Sequence, residues 1–130
     1  MAGEIMKIEV SPGELVDKVS ILAIKLEKMQ NPAKLANVRK EYDILRKCML
    51  SADISETSPE YRQLVDINRK LWEIEDKIRR KEAAKQFDGE FVELARSVYF
   101  TNDERASVKR KINERCGSEL TEEKEYAGYC

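Results

Sequence analysis

Met6, Ile8 and Val10 alternate with Lys7 and Glu9, the two-residue period of a half-buried strand, and predict a short strand over 6–10. The period then changes. Ser11-Pro12-Gly13-Glu14 reads as a capping box with proline in the first turn, where no amide partner is needed. Leu15, Val19, Leu22, Leu26 and Met29 follow at steps of four and three, which predicts a helix over 12–29. Asn31-Pro32 repeats the start, and Leu35, Val38, Tyr42, Leu45 and Met49 predict a second helix over 32–50. So short a joint makes the two antiparallel neighbours. After a polar loop, Ser58-Pro59-Glu60 opens a third helix over 59–86 on Leu64, Ile67, Leu71, Ile74 and Ile78. Asp88-Gly89 marks a turn before a shorter stripe of Phe91, Leu94 and Val98, expected as a helix over 89–99. Thr101-Asn102-Asp103-Glu104 is a second capping box, and Val108, Ile112 and Cys116 predict a fifth helix over 102–116 closed by Gly117. Residues 118–130 are acidic and lack a seam, so they are expected as an extended tail that crosses the bundle and pairs with the strand at 6–10. The expected fold is all-α, one domain over 1–130: an antiparallel bundle of about five helices.

Composition narrows the chemistry. At 130 residues, 42% hydrophobic, the chain can bury a core without a disulfide or metal staple. Its 24 Lys+Arg against 25 Asp+Glu argue against a dedicated polyanion binder, so nucleic acid is not an expected partner. The absence of histidine removes Ser-His and Cys-His nucleophile activation, His-ligated zinc and an imidazole pH switch. Cys48, Cys116 and Cys130 match no metal or redox spacing. The longest apolar run, Ile21 to Ile24, is far short of a membrane span, and the N-terminus is not organised as a leader. A cytoplasmic protein without metal or cofactor is expected, with Met6 as an alternative start.

The five glycines are too dispersed for a phosphate-cradling loop. Glu14 with Asp17, and Glu73 with Asp76, have the spacing used by helical magnesium-dependent nucleotide pyrophosphatases, but their order departs from those enzymes. Glu73 and Asp76 lie opposite the third seam and read as surface partners of Lys77 and Arg80. Asn68 and Glu75 lie roughly 60 to 80° from that seam's centre, on the flank of Tyr61 and Trp72, and are expected to be partly buried. They form either a small polar pocket or a boundary network in which Glu75 pairs with Lys18 or Arg96. The stretch Arg96 to Arg105 reads as a helix start, with the alternative that its amides and arginines hold an anion. Asn68, Glu75, Arg96, Asn102 and Arg105 are therefore the candidate ligand residues, and no catalytic residue is assigned. Ile21 and Ile24 lie roughly 120 to 180° off the first seam, and Ile44 and Cys48 are similarly off the second. These four imply either that the first hairpin is the sandwiched centre of the bundle or that it is a subunit interface, with a homodimer expected.

The segments SPGELVDKVSILAIKLEK, LWEIEDKIR and FVELARSVYFTNDERASVKRKIN, in this order, resemble a small family of bacterial and phage proteins catalogued as a domain of unknown function. The resemblance covers nearly the whole chain. It implies an all-helical soluble protein, with some relatives beside or fused to glycosyltransferase-type proteins of surface-polysaccharide pathways, and it carries no catalytic residue. The expected function is a non-catalytic interaction or assembly module. The alternative is a binder of, or enzyme on, an anionic metabolite or sugar nucleotide at the junction of the third, fourth and fifth predicted helices.

Overall fold

The computed structural model describes Gly3 and residues 5–129. Four helices follow one another: α1 (Pro12–Lys28), α2 (Pro32–Ser51), α3 (Pro59–Ala83) and α4 (Gly89–Arg115). Each starts on a side-chain cap: Ser11 accepts from the Glu14 amide, Asn31 from Lys34, Ser58 from Tyr61 and Asp88 from Phe91. Three of them end in the same way. In each, the residue after the cap turns left-handed and the following amide reaches back five residues, from Ile54 to the Met49 carbonyl, Gln86 to Lys81 and Ser118 to Asn113. The turning residues are Asp53 (φ 61), Lys85 (φ 55) and Gly117 (φ 64). The Lys85 turn ends α3 at Ala83, three residues short of the expected boundary.

Successive helices run up, down, up and down, with α1 in the middle. Its backbone packs against those of α2, α3 and α4, and α3 packs on α4, whereas that of α2 runs beside α1 alone. The core is Val16 and Val19 of α1, Met49 of α2, Tyr61 and Leu64 of α3, and Val108 and Ile112 of α4. Burial of a side chain of this size stabilises by about 1.5–3 kcal/mol.

Two predicted helices, 89–99 and 102–116, are a single helix. Thr101 is 1% exposed inside it, and its hydroxyl has no hydrogen-bond partner among the described residues. The cap-like sequence there is overridden by α3, against which α4 packs as an antiparallel partner of nearly equal length, 27 residues against 25. Lys81 meets Asp88 and Glu90 at one end of the pair, and Glu60 meets Arg115 at the other. A break at Thr101 would leave backbone groups unpaired against α3. The strand expected over 6–10 is also absent: residues 5–10 carry no regular structure, and Met6 and Ile8 are exposed. Residues 121–129 likewise have no regular structure and lie back along α4 instead of pairing with 6–10. Cys130 and the residues Met1, Ala2 and Glu4 lie outside the described residues. Among the described residues no helix is long and apolar enough to cross a membrane.

Candidate functional site

The antiparallel contact of α1 with α4 is set by Gly13. Its amide donates to Asn113 Oδ1 at 2.7 Å, and a Cβ at this position would stand 2.5 Å from the Lys109 carbonyl oxygen. Only glycine admits so close an approach. Bringing the helices together here places the acids of α1 opposite the bases of α4. Glu14 Oε2 lies 2.8 Å from Lys109 Nζ, so its carboxylate does not fold back on the Ser11 amide as a full capping box would. One turn further, Asp17 receives two hydrogen bonds from Arg105, Nε to Oδ1 at 2.9 Å and Nη2 to Oδ2.

Asp17 belongs to the interior, its side chain 2% exposed. Asn68 of α3 donates through Nδ2 to Asp17 Oδ1 at 3.0 Å and to Ser20 Oγ at 2.8 Å, and Ser20 donates to the Asp17 carbonyl. Three helices thus meet on one carboxylate. The hydrogen bonds to Asp17 hold the Arg105 guanidinium more firmly protonated than in water, against the opposing effect of burial. At Lys109 burial is the largest single influence and favours the neutral amine. The carboxylates of Glu14, Asp17 and Glu122 together outweigh it and raise the pKa.

Beside this cluster lies a cleft of about 470 Å³ between α1, α3 and α4. Ile21, Ile24, Leu71 and Val98 supply its apolar lining, Trp72 its one aromatic ring, and Asn68, Asn102 and Arg105 its uncharged and cationic polar groups. Glu75, Asp76 and Arg79 complete it. This size is within the range of small-molecule sites. Asn68, with both Nδ2 bonds committed, has an Oδ1 with no hydrogen bond to a described residue, and Arg105 Nη1 is likewise unbonded.

Four of the five candidate ligand residues, Asn68, Glu75, Asn102 and Arg105, share this cleft. Arg96 is not among its lining residues. It is exposed, bonded to Glu93 at 2.9 Å and set over the Phe100 ring, so it makes no pair with Glu75. Glu75 is exposed, not partly buried, and pairs with Arg79. The off-seam residues divide. Ile24 is 2% exposed and Ile21 is half-buried, both lining the cleft, because α1 packs against three helices and not one. Ile44 and Cys48 remain exposed on α2. Asp76 lies 3.8 Å from Arg80, but Glu73 is drawn across to Lys28 of α1 at 3.6 Å.

Sequence reasoning missed Asp17, Ser20 and Lys109 as members of the cluster. The available signal was the pair of small residues Gly13 and Ser20 one turn to either side of Asp17, which lets a neighbouring helix come close to that acid. Comparison with curated proteins and with solved structures finds no match. Residues 6–129 match a family model described as a family of unknown function, DUF6165, and the chain belongs to that family.

Proposed function

We propose that the chain is a non-catalytic binding module that takes an anionic small molecule in the cleft between α1, α3 and α4. The observation that carries this reading is the state of Arg105: bonded to a buried carboxylate on one side, it lines the cleft with Nη1 still uncommitted. An arginine held in this way loses little side-chain freedom on binding a ligand. The apolar lining and Trp72 suit a planar or hydrophobic portion of the same molecule. Asp17, the most buried acid at the site, has both oxygens bonded to Arg105, an arrangement that suits holding a base in place more than moving protons. The setting we propose is the cytoplasm, beside the glycosyltransferase-type proteins that the family resemblance implies, so a ligand panel should include sugar nucleotides.

Calorimetric titration with nucleoside monophosphates, sugar nucleotides and aromatic carboxylates tests the reading. Saturable binding, weakened at least fivefold by Asn102→Ala, is expected. Failure of the whole panel to bind or to raise the melting temperature rejects it.

A second reading, association of two copies through α2, is favoured by Ile44 at 49% exposure with the exposed Cys48 one turn further along the same face. Ile44→Glu should then convert a dimer to a folded monomer in sedimentation, and a wild-type monomer at high concentration ends it.

A further inference from the structure

A second cleft, of about 480 Å³, lies between α4 and the C-terminal segment and shares Val98, Asn102 and Arg105 with the first. Lys109 lines it too, one turn along α4 from Arg105, so two cations stand side by side in the second cleft, with Arg105 on the wall it shares with the first. Each has a carboxylate from α1: Asp17 for Arg105 and Glu14 for Lys109. Lys109, itself 7% exposed, has one carboxylate more. Glu122 Oε2 lies 3.2 Å from its ammonium group, brought there by a segment without regular structure.

The three carboxylates are not equivalent. Removing Asp17 or Glu14 takes away the partner that a helix supplies to a buried cation. Removing Glu122 leaves Lys109 paired with Glu14 and Arg105 paired with Asp17, so no buried charge is orphaned. What holds Glu122 besides Lys109 is a pair of long bonds from Arg110 to its backbone oxygen, 3.3 and 3.4 Å. Further along, Asp103 receives Lys124 and Tyr129, which ties the segment down independently of Glu122.

We propose that Arg105 and Lys109 form an anion subsite continuous with the first cleft, and that Glu122 is its built-in occupant, displaced by the phosphate or carboxylate of a two-part ligand whose planar portion lies against Trp72. The planar half of this proposal rests on the cleft-binding reading above. The anionic half stands on the two clefts' common wall and the surplus carboxylate. Displacement is local to residues around 122, because Asp103 retains Lys124 and Tyr129.

The test uses the full chain, isotope-labelled for NMR, titrated with inorganic phosphate and in parallel with acetate at constant ionic strength. Saturable shifts at Arg105 and Lys109 are expected, with the tighter of the two probes naming the anion. Glu122→Gln should tighten it at least fivefold, and Lys109→Met should abolish the saturable response. In the wild type, saturation should shift the amides of 121–123 and speed their hydrogen exchange while Tyr129 stays in place. Equal affinity in wild type and Glu122→Gln, or saturation without any change at 121–123, overturns the proposal. So does the absence of saturable shifts in both proteins.

A second arm separates the two halves. Trp72 is the only tryptophan, so its fluorescence reports the first cleft alone. Adenosine 5′-monophosphate should quench it, more tightly in Glu122→Gln than in wild type. Equal quenching in both proteins leaves the cleft reading standing and overturns displacement of Glu122. A phosphate response that depends on Glu122, with Trp72 silent to every planar probe, upholds the anion subsite and overturns the two-part ligand.

Discussion

Asp17 and Arg105, 88 positions apart, close the contact between α1 and α4 through two parallel hydrogen bonds, with Nε to Oδ1 at 2.9 Å. The carboxylate is 2% exposed and the guanidinium 27%. Arg105→Met leaves a buried charge hydrogen-bonded only by Asn68, with the Lys109 ammonium acting on it from one turn away, and should cost about 3 kcal/mol, the lower end for breaking a buried pair. Asp17→Asn with Arg105→Met, which removes both charges, should cost less than the sum of the single changes. Urea denaturation of the three variants measures the difference, and simple additivity would show that the pair does not act as a unit.

Gly13→Ala isolates the cost of helix approach. Alanine is the better helix former by about 1 kcal/mol. Here its Cβ would meet the Lys109 carbonyl oxygen at 2.5 Å and Asn113 Oδ1 at 2.9 Å, so α1 must move off α4. A net loss of about 1–3 kcal/mol is expected from overpacking. A gain in melting temperature would show that the two helices are not held together at this point.

Lys85 closes α3 at φ 55, a conformation in which a side chain costs roughly 1–2 kcal/mol. Lys85→Gly removes that cost and gives back part of it in unfolded-chain entropy, for a net gain of about 0.5 kcal/mol. Asp53→Gly, at φ 61, should gain less, since aspartate tolerates this conformation better than lysine. Melting curves of both variants should rank them in that order.

Burial pushes the Tyr61 hydroxyl up to about 12, with the nearby Tyr42 and Glu56 adding to the effect. The unfolded chain therefore loses this proton first, near pH 10. Between about pH 10 and 12 the folded state binds more protons than the unfolded state, so stability is complete below 10 and falls as the pH rises. The slope is at most about 1.4 kcal/mol per pH unit. Tyr61→Phe should remove this part of the alkaline loss. Urea midpoints of both proteins at pH 9 and pH 11 check it, and parallel declines would rule it out.

Four helix starts were legible in the residues because a cap is local: Ser11, Asn31, Ser58 and Asp88 each act within three residues of themselves. Part of the core seam was legible for the same reason, since a period of 3.6 depends only on neighbours along one helix, but buried Val16 and Ile24 lie off the expected seam and Cys116, placed on it, is exposed. The candidate site was legible in part. Asn68 came from its angular position, Asn102 and Arg105 from their place at an expected helix start, and all three line the cleft. Local signals failed where a distant element competes with them. Thr101 carries a cap-like sequence but is buried within a helix as long as its partner α3, and Met6 to Val10 alternates correctly without a second strand to pair with. Asp17 shows the difference most clearly. On its own helix it is one acid among several. Its burial, its two bonds to Arg105 and its third to Asn68 come from residues 51 and 88 positions away, because a charge enters the interior only where its partners have been brought to meet it.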